Sequence, residues 1–385
     1  MKTLSRINLI QPFHVMRLMS KARELEAQGK DIVHMEVGEP DFSTPAPIAA
    51  AGIEAIKQGL THYTPALGLP QLREAISGYY QSRYKLDVSP QRIIITPGAS
   101  GGLQLLIALL VEPESEVLMT DPGYPCNRNI IRLYGGFPVS IPLAETENFQ
   151  LNAELIRTKW NSERTRGVII TTPSNPTGSV LDRQSLTDIQ SVVAAKGGFL
   201  IVDEIYQGLV YDGLDMTALE LGSNLYIVNS FSKYFGMTGW RVGWLVVPES
   251  AVPALDKLAQ NLFIAAATVS QYAALAAFSE STQDVLEQRK EIFRKRRDFL
   301  LPALEMLGFK FMYKSAGAFY LYADCGALTQ DSATLAEQLL TGAGVAVTPG
   351  VDFSTNDPSR YLRFTYTTGY ERLVMGVDRI KQHCI

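Results

Sequence analysis

The 385-residue sequence predicts an α/β protein: a mostly parallel central sheet with helices on both faces, and a smaller α+β domain beside it. Three observations carry the prediction. Six short apolar runs cross the middle of the chain, and most are continuous rather than alternating, as strands covered on both faces require. Amphipathic segments lie between several of them, giving the strand–helix alternation of a parallel sheet. Beyond residue 283 the pattern changes to a dense charged helix followed by scattered strand-like runs.

In chain order, residues 15–28 read as a helix of the N-terminal region. The runs 92–96, 117–120, 168–172, 199–202, 226–229 and 242–247 are of strand length. Residues 102–111 place Leu103, Leu106, Ile107 and Leu110 on one helical face. A second amphipathic helix, 185–195, stops at Lys196-Gly197-Gly198. In 283–307, Ile292, Phe293, Phe299 and Leu300 form an apolar stripe, and Glu287, Arg289, Lys290, Glu291 and Arg294 to Arg297 a solvated face. Further strands are expected near 309–313, 318–322, 345–348 and 361–366. The expected division is an N-terminal arm with part of the small domain at 1–45, a large domain at 46–285, and a C-terminal small domain at 286–385.

Composition narrows the function. Apolar residues at 46% and charged residues at 19% are ordinary globular values, which excludes a disordered or fibrous chain. Lys and Arg number 35 against 39 Asp and Glu, a net charge of −4, so no cationic excess is available for nucleic acid. Cys126, Cys325 and Cys384 are odd in number and widely scattered, which points to a reducing cytosol rather than a disulfide framework. His14, His34, His62 and His383 show no metal-ligand spacing, so no metal is expected. Residues 7–16 are interrupted by Asn8, Gln11, Pro12 and His14, so no export segment is expected. The apolar stretches at 103–111 and 264–278 fall short of the ~20 apolar residues a membrane span needs. A cytoplasmic protein is the expectation.

Ligands of open α/β sheets gather beyond the C-terminal ends of the strands, and there the polar residues of this sequence fall. The runs end in Thr96-Pro97-Gly98-Ala99-Ser100-Gly101-Gly102, Asp121-Pro122-Gly123-Tyr124-Pro125, Pro173-Ser174-Asn175-Pro176-Thr177-Gly178, Asp203-Glu204-Ile205-Tyr206 and Ser230-Phe231-Ser232-Lys233. Each piece alone has a plain reading. The Gly98–Gly102 loop suits an anion at a helix N-terminus or simply tight packing. Lys233 could be a surface lysine, Asp203 a helix cap, Asn175 turn chemistry, and Tyr124 and Tyr206 half-buried aromatics.

Their order and spacing, however, match one arrangement. The sequence resembles the class I/II aminotransferases, pyridoxal-phosphate (PLP) enzymes of fold type I, along nearly the whole chain. The resemblance runs through Gly38-Glu39-Pro40-Asp41-Phe42, Tyr63-Thr64-Pro65, Gly68-Leu69-Pro70-Gln71-Leu72-Arg73, Asn175-Pro176-Thr177-Gly178, Asp203-Glu204-Ile205-Tyr206 and Ser230-Phe231-Ser232-Lys233. It closes with Gly239-Trp240-Arg241-Val242-Gly243-Trp244 and Leu362-Arg363-Phe364.

The resemblance implies a large PLP-binding domain, with Lys233 forming a Schiff base to the pyridoxal aldehyde and then moving a proton. Asp203 would keep the pyridine nitrogen protonated. Asn175 and Tyr206 would hydrogen-bond the ring oxygen, and Tyr124 would lie against the ring face. Backbone groups of Ala99 and Ser100, with Ser230, Ser232 and Arg241, would hold the phosphate. Tyr63 would reach the phosphate of a neighbouring subunit, which implies a homodimer. Arg363 would clamp the substrate α-carboxylate, and Gly38 would let the backbone approach the substrate. The implied reaction is a ping-pong transfer of an amino group from an L-amino acid to a 2-oxo acid, 2-oxoglutarate or pyruvate. Phe13-His14-Val15, where aspartate-selective relatives carry polar groups, offers mostly apolar contacts, so the expected donor is apolar or aromatic. Cys126 reads as a small structural thiol. A PLP-dependent β-elimination (C–S lyase) enzyme and a non-catalytic PLP-binding regulatory module are the alternatives of the same fold.

Overall fold

The computed structural model describes residues 5–10, 12 and 14–384. Its strands are β1 (Val33–His34), β2 (Ile93–Thr96), β3 (Glu116–Asp121), β4 (Phe137–Pro142), β5 (Thr165–Thr171), β6 (Phe199–Asp203), β7 (Tyr226–Ser230), β8 (Gly243–Val246), β9 (Tyr320–Asp324), β10 (Val345–Ala346), β11 (Thr348–Pro349) and β12 (Tyr361–Thr365). Seven of them form the central sheet in the order β2-β8-β7-β6-β5-β3-β4. All run parallel except β8, which is antiparallel to both β2 and β7.

The continuous apolar runs have a direct structural cause. Successive strand residues point to opposite faces of a sheet. Ile93, Ile95, Val168, Ile170, Trp244 and Val246 fill the core on one face. Ile94, Val117, Met119, Ile169, Ile201 and Leu245 fill the core on the other. Both faces are therefore dry, and neither parity of the strand can be polar.

The predicted helices are present. That at 15–28 is His14–Ala27, that at 102–111 starts earlier as Gly98–Leu110, that at 185–195 is Arg183–Ala195, and that at 283–307 is Glu280–Met306. Leu18, Ala22 and Leu25 of the first helix pack with Ile32, Leu340 and Ala346. The parallel pairing of β1 with β10 likewise joins the two ends of the chain, beside the three-stranded sheet β11-β12-β9. Among the described residues no helix is long and apolar enough to cross a membrane.

Three expectations change. Strand β4 has no counterpart in the sequence reading, because Pro138 and Pro142 make it look like a loop; it lies at the sheet edge, where proline is tolerated. Residues 309–313 form no strand: Lys310 makes an isolated bridge to Asp324, after which the Met312 amide donates to Glu145 Oε1 at 2.9 Å instead of continuing a ladder. The strand placed at 318–322 begins only at Tyr320, because Ala318 adopts a left-handed backbone (φ +57°) that no strand accommodates.

Candidate active site

Parallel alignment brings the C-terminal ends of β2, β3, β5, β6 and β7 to one edge of the sheet. The single antiparallel strand completes the edge from the opposite direction. Gly243, the first residue of β8, pairs with both Thr96 and Ser230, the last residues of β2 and β7. Arg241, two residues earlier, is thereby delivered to the same edge. A cavity of about 230 Å³ opens there.

One wall of the cavity suits an anion. Helix Gly98–Leu110 starts directly after β2, with no acidic residue in its first turn, so its free N–H groups and positive dipole end face the cavity at Ala99 and Ser100. Gly98 is left-handed (φ +68°), and a Cβ on it would lie 2.7 Å from Arg241 Nη2. Glycine is what lets the guanidinium close on the helix terminus. Arg241 Nη1 donates to the Thr238 carbonyl (3.1 Å) and to Ser232 Oγ (3.5 Å). Ser230 is not among the residues that line the cavity: its hydroxyl lies 3.0 Å from Ser232 Oγ and 3.3 Å from the Val242 carbonyl, and its single proton serves one of these acceptors at a time.

Opposite stands Lys233, whose Nζ donates to the Gly38 carbonyl at 2.7 Å. Its side chain lines the cavity. Burial lowers its pKa to about 8; Glu39 opposes that shift, and the guanidinium groups of Arg363 and Arg241 reinforce it. Asp203, at the end of β6, is 3% exposed and accepts the Ile205 amide at 3.1 Å. No helix follows it, so it is not a helix cap. Burial raises its carboxyl to about 7, and no cation pairs with it among the described residues. A buried carboxyl aimed at a cavity without a basic partner fits a protonated ring nitrogen.

Arg363, on β12, is 4% exposed. Nη1 donates to Asn175 Oδ1 at 2.9 Å and Nη2 to the Glu36 carbonyl, while Nε has no hydrogen-bond partner among the described residues. Its guanidinium lies 4.5 Å from the ring centroids of both Tyr320 and Phe353, held as a cation between two aromatic faces. Tyr206 accepts a hydrogen bond from Asn175 Nδ2 (3.4 Å), and its hydroxyl lies 2.7 Å from that of Tyr320. Tyr124 also borders the cavity, its phenol kept protonated chiefly by burial.

Of the residues expected from the sequence, the cavity brings together Gly38, Ala99, Ser100, Tyr124, Asn175, Asp203, Tyr206, Ser232, Lys233, Arg241 and Arg363. Tyr63 is 82% exposed and lies outside it. In the stretch 13–15, Val15 lines the cavity, His14 does not, and Phe13 lies outside the described residues. Sequence reasoning missed Tyr320, Thr238 and Met16. A tyrosine inside a predicted strand carries no local signal; only its contacts with Tyr206 and Arg363 reveal it. Gly38 is tied to it as well, since a Cβ there would stand 2.0 Å from the Tyr320 hydroxyl.

The family model for class I and II aminotransferases matches residues 30–380. This chain belongs to that family. It is 38% identical to the (5-formylfuran-3-yl)methyl phosphate transaminase of Methanocaldococcus jannaschii, over 97% of this chain and 96% of that protein. It is 37% identical to the valine–pyruvate aminotransferase of Mycobacterium tuberculosis, over 93% and 92%. The crystal structure of an aminotransferase from Mycobacterium tuberculosis superposes with a TM-score of 0.96 at 35% identity, covering 100% of this chain and 99% of that one. Aspartate aminotransferase from Thermus thermophilus with maleate gives 0.93 at 32% identity, covering 99% and 100%. The aminotransferase thus has fold type I, and enzymes of this family depend on pyridoxal phosphate.

Two outcomes follow from the charges. Acetylation of Lys233 in the cofactor-free enzyme, followed by peptide mass spectrometry, should show a midpoint near pH 8, while surface lysines respond above pH ~10; a midpoint with the surface lysines contradicts the assigned burial. Folded, Asp203 keeps its proton to about pH 7; unfolded, it releases it near 3.8. Between those values the unfolded chain binds fewer protons, so cofactor-free stability falls as pH rises through this window, by the order of a few kcal/mol. Asp203→Asn should therefore raise the cofactor-free melting temperature at pH 8, with the gap closing toward pH 4.

Proposed function

We propose that this chain is a PLP-dependent aminotransferase that moves the amino group of an L-amino acid with an apolar or aromatic side chain to 2-oxoglutarate or pyruvate, by a ping-pong route. One observation carries the reading. The Lys233 amine and the Arg363 guanidinium are held by carbonyls two residues apart, those of Gly38 and Glu36, across a cavity that is also lined by the Asp203 carboxyl, which no cation pairs with among the described residues. When bound, the cofactor supplies an aldehyde that exchanges between amines and a cationic ring that withdraws electrons from the donor Cα.

The chain's own groups do the rest. The helix terminus at Ala99 and Ser100, with Ser232 and Arg241, would hold the phosphate, and Asp203 would keep a proton on the ring nitrogen. Asn175 and Tyr206 would offer hydrogen bonds to the ring oxygen, and Tyr124 would pack on the ring. Arg363 receives the α-carboxylate through its cavity-facing N–H groups, which orients the Cα–H bond toward Lys233. Lys233 Nζ, with a pKa near working pH, takes and returns that proton. Gly38 keeps the backbone close enough to hold the amine.

The donor class rests on the lining. Its cations are Lys233, Arg241 and Arg363, each with a task, and none among the described residues is left for a distal carboxylate. Val15, Met16, Val37, Leu103 and Ile205 supply apolar walls. The name of the valine–pyruvate relative agrees with this reading. We further infer that residues 46–285 act as the cofactor-binding body and that the units at 1–45 and 286–385 close over the substrate.

The active unit is a homodimer in which Tyr63 of each chain covers the other's phosphate wall. In its support, Ser100 and Arg241 are exposed in the single chain, as is Tyr63, and Ile53, Ile56, Leu262 and Ile264 are exposed apolar side chains.

A donor panel with both acceptors tests the reaction. Valine-like, methionine or aromatic donors should lead, and Lys233→Ala should abolish transfer. Aspartate as the best donor overturns the donor class, and ammonia with pyruvate from a cysteine-type substrate would indicate a lyase. Light scattering should give the mass of two chains, and Tyr63→Phe should release the cofactor several-fold faster on dialysis; a fully active monomer refutes the shared site.

A further inference from the structure

Glu36 is a fully buried carboxylate that the chemistry above does not use. Such a group is costly unless paired, and removing its partner leaves a charge stranded in the interior. Oε1 lies 2.7 Å from His34 Nδ1, and Oε2 has no hydrogen-bond partner among the described residues. His34 Nε2 in turn lies 3.0 Å from Glu26 Oε1, on the first helix. Flanked by two carboxylates, the imidazole is held protonated, its pKa raised to about 9, with Glu36 the main cause. A cationic ring thus joins a surface carboxylate to an interior one.

The backbone around this pair does the connecting. The Met35 amide donates to the Ala346 carbonyl (2.9 Å), and the Met35 carbonyl accepts from the Thr365 amide (2.9 Å). The Glu36 carbonyl accepts from Thr348 Oγ1 (2.9 Å) and from Arg363 Nη2. The Val37 carbonyl accepts from Thr367 Oγ1 (3.3 Å), and the Gly38 carbonyl from Lys233. Three of these four consecutive carbonyls therefore meet a site group or the strand that carries Arg363, and the fourth, that of Val37, meets Thr367 two residues beyond that strand. Among the described residues Arg363 itself has only neutral acceptors, Asn175 Oδ1, Thr348 Oγ1 and the Glu36 carbonyl, so the position of that carbonyl sets the rotation of the guanidinium.

We propose that Glu36 and His34 are positioning residues for substrate binding: their ion pair locks the 35–38 backbone so that the Glu36 carbonyl presents Arg363 in the orientation that receives the α-carboxylate. The inference rests on Arg363 as the carboxylate clamp, and the experiment separates the two. In the holoenzyme, KM for the preferred amino acid, kcat, and the inhibition constant of a simple alkanoate with the donor's carbon skeleton are measured for wild type, Glu36→Gln, His34→Gln, the double variant and Arg363→Gln.

Arg363→Gln should lose alkanoate inhibition; if it does not, the clamp assignment fails and the positioning role with it. Given that loss, Glu36→Gln and His34→Gln should each raise KM and the inhibition constant about tenfold, change kcat much less, and leave the cofactor absorbance unaltered. The double variant should match the worse single variant, because the two residues act as one unit. His34 is half-exposed, so His34→Gln keeps the test alive if Glu36→Gln fails to fold. Unchanged alkanoate inhibition in His34→Gln, or a fall in melting temperature alone, overturns the proposal.

Discussion

Three ionisable groups, Lys233, Asp203 and Arg363, surround one cavity, and none forms an ion pair with another. That constraint governs the rest of the structure. In water these groups would be solvated; here the amine rests on the Gly38 carbonyl, the carboxyl on the Ile205 amide, and the guanidinium on an amide oxygen, a carbonyl and two aromatic faces. Neutral partners, acceptors for the amine and the guanidinium and a donor for the carboxyl, hold these groups without cancelling them. The groups keep their capacity for a ligand's opposite charges, at a cost in desolvation that only a rigid frame sustains.

The frame is the doubly covered sheet. With dry cores on both faces, the strands cannot slip by one residue without moving apolar side chains to the wrong layer, so each strand end has a fixed position. The antiparallel β8 adds the decisive link, because its first residue pairs with the last residues of β2 and β7. A Cβ on Gly243 would lie 2.7 Å from the Asn229 carbonyl oxygen and 2.9 Å from the Ala99 amide nitrogen. Glycine at that point lets the start of β8 pack directly against the helix terminus, which fixes Arg241 relative to Ala99 and Ser100.

Much of this was legible in the sequence because it is local. Buried strands announce themselves as unbroken apolar runs, and a strand end followed by Asp, Asn or Ser-x-Ser-Lys marks the catalytic edge. Residues whose role comes from distant partners left no such mark. Tyr320 reads as one more strand aromatic, yet it joins Tyr206 to Arg363; His34 enters the sequence reading only as a histidine without metal-ligand spacing, and Glu36 carries no local mark. Ser230 sits in the same motif as Ser232, and only the structure shows that its hydroxyl lies between Ser232 Oγ and the Val242 carbonyl. Ala318 shows how one left-handed residue shortens a strand that hydropathy alone would extend.

The apolar end of the cavity is organised differently from its polar end. Val15 and Met16 belong to the first turn of helix His14–Ala27, and that turn is held by Asp352, whose two carboxylate oxygens accept the His14 and Val15 amides at 2.8 Å each. The next residue, Phe353, is the lower aromatic face of Arg363. One short loop therefore fixes both an apolar wall of the cavity and an aromatic face of Arg363, the groups proposed to meet a donor's side chain and its carboxylate. A change in side-chain preference made at Val15 or Met16 leaves the clamp alone, whereas a change in the loop moves both.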